Sequence, residues 1–249
     1  MFYRLITIFI SLFLFSNAIA TELQNKPNFV WLVSEDSGRE YFNLYDKQGA
    51  KTPNIERLAK HGLIFENALS NAPVCSVARS TLATGAYASR IGVQYHRAWQ
   101  YADLPKGLIP ISKMLMDDGY YVANNYKTDY NFNGTQTFWH ETGKKASWKK
   151  RQKNQPFFFM KTFEVSHSSS LHFPAEYVDT KDTYHDPELI DLPPYYPDTK
   201  TFRYTYARYL DKIKEMDRQL GQVVDELAAD GLLENTFIFF FGDHGGPLP

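Results

Sequence analysis

A single cysteine in 249 residues rules out an internal disulfide, so this chain must be held together by packing. Charge of one sign is also missing: 27 Lys and Arg against 28 Asp and Glu leave a formal charge of −1. With no global basic field, nucleic acid has little electrostatic support as a partner, and any recognition of a polyanion must be local. No internal repeat or low-complexity tract is present, and the longest apolar run, Leu5 to Phe15, is too short to span a bilayer comfortably before Ser16-Asn17 interrupts it. What the chain does have is 43% hydrophobic and 16% aromatic residues, enough for the core of one sizeable α/β domain.

The first twenty residues read as a secretory signal. Arg4 precedes the apolar run, Ala18-Ile19-Ala20 supplies the small-residue site, and cleavage is expected after Ala20. No cysteine lies nearby for lipid attachment. The mature segment, 21–249, is therefore expected to be periplasmic or secreted, without a stable membrane anchor.

Short apolar runs alternate with amphipathic stretches through the remainder. Asn28–Ser34, Leu63–Ala68, Tyr120–Ala123, Phe157–Phe163 and Phe237–Phe241 have strand length and composition. Helices are predicted where Pro53 follows Thr52 ahead of Gly62, from Pro110 to Gly119, over Ser76–Thr84 before Gly85, and along Arg203–Asp230. Such alternation predicts an α/β fold, a mostly parallel central sheet with helices on both faces. Two stretches read as irregular: His140–Gln155, with six Lys or Arg and one Glu, and Ala175–Lys200, with seven acids and two lysines.

The candidate chemistry sits where these strands end. Glu35-Asp36 follows the first strand and Asp243-His244 follows the last, and open parallel sheets bind ligands at their carboxyl edge. The two pairs suit a divalent cation with hard oxygen ligands, Ca²⁺ or Mg²⁺. Either pair alone could equally cap a helix. Cys75 begins the run Cys75-Ser76-Val77-Ala78-Arg79 at a helix N-terminus, a position that favours an anion, with Arg79 one turn away on the same face. Taken by itself, Cys75 could also be a small buried hydrophobe.

Cys75 and Arg79, with the paired strand-end residues, resemble the signature of the sulfatase family, the formylglycine-dependent branch of the alkaline-phosphatase-like superfamily. Val77 stands where that family usually carries Pro or Ala, and Glu35 where it usually carries Asp. The resemblance runs from about Pro27 to the last residue, and it implies an N-terminal catalytic portion, 21–249, of a longer protein. It further implies that a formylglycine-generating maturation enzyme oxidises Cys75 after translation, and that the hydrated aldehyde is the nucleophile. Glu35, Asp36, Asp243 and His244 would hold one divalent cation, generally Ca²⁺. Lys127, after the Tyr120–Ala123 strand, matches the sulfate-binding lysine, and His167, after Phe157–Phe163, the histidine beside the leaving-group oxygen, with His172 a weaker competitor. The Leu192–Thr199 run, Arg203 and the His96-Arg97 pair are similar to members acting on sulfated polysaccharides, including heparan N-sulfatase-like ones. The Lys144–Lys153 loop would assist a polyanion, and Trp99 or Trp139 would stack a sugar. The implied function is sulfuric ester hydrolysis on a sulfated glycan. The alternatives are a phosphoester hydrolase of the same superfamily and a non-catalytic exported protein that binds sulfated glycans.

Overall fold

The computed structural model describes residues 26–180 and 182–246, so the expected signal segment 1–20 lies outside the described residues. Five strands, β1 (Asn28–Ser34), β2 (Tyr121–Asn125), β3 (Glu141–Thr142), β4 (Phe157–Phe163) and β5 (Thr236–Gly242), form one sheet in the order β3-β2-β4-β1-β5. Every pairing is parallel. Parallel strands covered on both faces need apolar side chains on both, which is why β1 and β4 are near-continuous hydrophobic runs, whereas the equally apolar edge strand β5 leaves Phe237 and Phe239 exposed.

Among the described residues five α-helices accompany the sheet: α1 (Pro53–Ala59), α2 (Cys75–Thr84), α3 (Ala88–Ile91), α4 (Ile111–Asp117) and α5 (Lys200–Ala229). One sheet face carries Val30, Leu32, Phe157 and Phe159 against Leu210, Ile213 and Leu220 of α5 and Ile55 of α1. The other face packs Val33, Val122, Phe158 and Met160 against Trp139 and against Ile111 and Leu115 of α4. Burying each such side chain contributes roughly 1.5–3 kcal/mol, so the strands gain stability on both sides. Helices on both faces of a parallel sheet are what the alternating pattern predicts.

Local signals set the helix ends. Thr199 accepts a hydrogen bond from the Phe202 amide and caps α5, whose buried residues recur every three or four positions from Tyr206 through Leu227. Gly85 ends α2 in the left-handed region, at φ +65°, where a side chain would be strained. The helix over Arg203–Asp230 thus begins three residues earlier than expected, and the strand predicted at Tyr120 runs on to Asn125.

One predicted strand is absent. Residues 63–68 are irregular, with Leu63, Phe65 and the nearby Leu69 well exposed. Their apolar character satisfies the strand pattern, but no strand pairs with them among the described residues, and an exposed segment without a partner strand leaves its backbone groups to water. Between His140 and Gln155 the chain is irregular as expected, apart from β3 and a turn of 3₁₀ helix at Trp148–Lys150.

Candidate active site

The sheet register aligns three strand ends. Ser34, the last residue of β1, pairs with Phe163 of β4 and Gly242 of β5, so Glu35, Glu164 and Asp243 emerge side by side at one edge. Gly242 is required there, because a Cβ at this position would meet the Ser37 carbonyl at 2.4 Å. Asp36 itself sits in the left-handed region at φ +51°. Surrounding bonds hold it: its N–H donates to Asp243 Oδ1 (3.1 Å), the Tyr209 hydroxyl of α5 donates to its carbonyl (2.5 Å), and the Ser168 N–H donates to Oδ2 (2.6 Å).

Against this edge α2 brings its first two turns. Cys75, its first residue, is buried, with Sγ 3.3 Å from His244 Nε2 and 3.8 Å from Asp36 Oδ1. Arg79 lies one turn on and is 3% exposed. Its Nη1 donates to Thr162 Oγ1 (3.2 Å) and its Nη2 to Glu35 Oε1 (3.2 Å), with Asp243 Oδ2 at 3.3 Å, an ion-pair distance without hydrogen-bond alignment. Lys127, just beyond β2, bonds the same Glu35 oxygen and lies 3.7 Å from Asp129 Oδ2. His167 stands at the rim, Nε2 3.9 Å from Asp36 Oδ2 and Nδ1 2.8 Å from Ser169 Oγ. His172 is exposed on the turn that follows. All eight residues singled out for catalysis or metal binding thus converge on one strand edge.

The electrostatics follow from burial and pairing. Burial raises the pKa of Glu35, partly opposed by the Arg79 and Lys127 charges. Burial would also raise Asp36, but hydrogen bonds from His244 and Ser168 outweigh it and bring its pKa to about 2. His244 is pushed down by burial and up, more strongly, by its bonds to Asp36 and Cys75, reaching about 10. A positive charge is therefore favoured between Asp36 and Cys75.

The donor set fits a divalent cation. Glu35 Oε2 and Asp243 Oδ2 are buried without a hydrogen-bond partner, and an orphaned buried carboxylate oxygen costs free energy that a cation would recover. Asp36, Cys75 and His244 present ligand atoms within 4.8 Å of one another, as do Glu35, Cys75 and His167.

Other participants escaped sequence reading. Ser76 Oγ and the buried Asn131 bind α2 to the 93–98 loop, while Ser168 and Tyr209 fix Asp36. Asn131 and Tyr209 carry no pattern that separates them from ordinary loop and helix-core residues. Ser168, by contrast, directly follows His167 at a strand end and could have been found there.

The carboxyl edge of a parallel α/β sheet thus carries a cluster of acids, with a thiol at a helix N-terminus and a buried guanidinium beside it. The chain belongs to the sulfatase family, whose family model, described as Sulfatase, matches residues 27–149 and 121–249. It is 36% identical over 273 residues to an ulvan-active sulfatase of Formosa agariphila, covering 92% of this chain and 46% of that protein. It is 24% identical to human N-sulphoglucosamine sulphohydrolase, over 89% of this chain and 51% of that one. The chain thus spans about half the length of these curated relatives. Among solved structures, the phosphonate monoester hydrolase of Agrobacterium radiobacter superposes with a TM-score of 0.70 at 15% identity, over 88% of this chain and 63% of that one, a likeness of fold.

Proposed function

We propose that this protein hydrolyses sulfate esters on a sulfated polysaccharide or its oligosaccharides, with residue 75 as formylglycine and one divalent cation, generally Ca²⁺. One observation carries the reading: Cys75 Sγ lies within 4 Å of both Asp36 and His244, while Arg79 and Lys127 converge on the adjacent Glu35. The relative named an ulvan-active sulfatase makes ulvan the first polysaccharide to test.

Glu35, Asp36, Asp243 and His244 would hold the cation, which when bound supplies positive charge to neutralise sulfate oxygens. A hydrated aldehyde at position 75 supplies an oxygen nucleophile together with a second hydroxyl able to release sulfate. Lys127 would bind the sulfate oxygens as charge shifts onto them, taking its ammonium from Glu35 to the substrate. Arg79 and the free N–H groups of the α2 N-terminus would stabilise an anionic oxygen at position 75. His167, on the open rim, would give a proton to the departing sugar oxygen. Export to the periplasm or medium and conversion by a formylglycine-generating enzyme belong to the same reading.

Two assays on the purified protein test it. Peptide mass spectrometry should find an aldehyde in place of the Cys75 thiol, and 4-nitrophenyl sulfate and ulvan oligosaccharides should release sulfate in the presence of Ca²⁺. Faster turnover of 4-nitrophenyl phosphate than of the sulfate would favour a phosphoester hydrolase. An intact thiol together with glycan binding and no turnover would favour a binding protein.

A further inference from the structure

His96 lies outside the cluster assigned above, yet it is wired to the residue next to the nucleophile position. Ser76 Oγ accepts hydrogen bonds from the Arg97 N–H (2.8 Å) and from Asn131 Nδ2 (3.2 Å). The Asn131 amide is oriented, because its Oδ1 accepts from the Ala98 N–H while its Nδ2 donates to the Tyr95 carbonyl at 2.6 Å. With both acceptor sites of Ser76 filled, its own proton must go to His96 Nδ1, 3.1 Å away. That bond fixes the neutral imidazole with its proton on Nε2. Burial and the adjacent Arg97 charge both lower the His96 pKa, which favours the same neutral form.

Nε2–H is therefore a positioned donor, and among the described residues nothing accepts from it. His96 is exposed, it is bonded to the residue after Cys75, and its neighbour Arg97 pairs with Asp129, which lies 3.7 Å from Lys127, so it borders the same site. Its loop also holds Tyr95 and Trp99 in the open, at 77% and 104% exposure. Bare aromatic faces next to an oriented donor suit a sugar, which offers apolar ring faces and oxygen acceptors together.

Resting on the sulfatase reading, we propose that His96 determines specificity: its Nε2–H donates to a hydroxyl or carboxylate oxygen of the sugar that carries the scissile sulfate. An aryl sulfate has no such oxygen, so the two substrate types separate this role from the chemistry. His96→Ala should lower kcat/KM on ulvan oligosaccharides roughly tenfold to hundredfold, the loss of one oriented hydrogen bond, while 4-nitrophenyl sulfate turnover changes by less than about threefold. His96→Gln, which restores an N–H at similar reach, should recover part of the loss on the oligosaccharide. Equal losses on both substrates would make His96 a support for Ser76 and overturn the proposal, as would no loss on either. If the unaltered protein turned over neither substrate, the sulfatase reading itself would fail, a result separate from any effect of the variants.

Discussion

Arg79 Nη2 donates to Glu35 Oε1 over 3.2 Å, with the two side chains 3% and 1% exposed, where α2 passes over the end of β1. A guanidinium has the donors to hold Thr162, Glu35 and Asp243 together from one position, and an ammonium lacks that planar fork. Arg79→Ala removes the guanidinium that two buried carboxylates share, leaving Glu35 to Lys127 alone, and should cost about 3–5 kcal/mol in urea denaturation, with Arg79→Lys in between. Removing Glu35 as well, in the Arg79→Ala/Glu35→Ala pair, should restore part of that stability. A single-variant cost below about 1 kcal/mol would mean that water reaches the pair.

Cation binding should register as stability. Because Glu35 Oε2 and Asp243 Oδ2 accept no hydrogen bond, Ca²⁺ should raise the melting temperature over that in EDTA, approaching about 2.7 kcal/mol of stabilisation at 100 times its Kd. The informative quantity is the Ca²⁺-dependent increment, since neutralising a buried acid also changes the cation-free protein. Glu35→Gln and Asp243→Asn should abolish the increment, and Glu35→Asp should retain much of it. An increment surviving in both neutral variants would place the ion elsewhere.

Much of this arrangement was readable because it rests on strong local signals. Apolar runs marked β1, β4 and β5, Gly85 marked the end of α2, and the strand-end acids had to meet once the sheet was parallel. The failure at residues 63–68 came from reading strand composition without a partner strand, which no local pattern supplies. Asn131 and Tyr209 were invisible for a related reason: their roles depend on where a loop and a long helix land in space. The basic stretch near Lys150 contains ordinary ion pairs, Lys149 with Glu226 and Lys150 with Glu141, as charge runs usually do.

His140 should make stability depend on pH. Its Nδ1 accepts the Val122 N–H at 3.0 Å, which requires that nitrogen to be unprotonated, and burial holds its pKa below the ordinary 6.5. Between the folded pKa and 6.5 the unfolded chain binds more protons, so stability rises with pH in that window. The contribution is present above 6.5 and is lost as pH falls through the folded value. His140→Asn keeps an acceptor for Val122 and removes the titration. Urea midpoints at pH 7.5 and pH 5 should therefore fall further in the wild type than in this variant, and parallel losses would refute the linkage.

Asp217 is the one acid in the buried stripe of α5, and its geometry accounts for it. Its carboxylate accepts from Asn54 N–H (3.2 Å), Asn54 Nδ2 (2.8 Å) and Ile55 N–H (2.9 Å), satisfying donors at the start of α1 that the helix leaves unpaired. No side chain caps α1 from Thr52, so the cap comes from across the interface. Asp217→Ala should cost about 1–3 kcal/mol through those stranded donors. Asp217→Asn keeps the shape but turns an N–H toward at least one donor in either amide orientation, so it should rescue little. Asn54→Ala removes one of the three donors, and combining it with Asp217→Ala should cost less than the sum of the two, with a coupling of about 0.5 kcal/mol or more. Chemical denaturation of the wild type and these four variants measures this. Strict additivity, or an Asp217→Asn protein as stable as wild type, would mean that solvent and not Asp217 satisfies the α1 N-terminus.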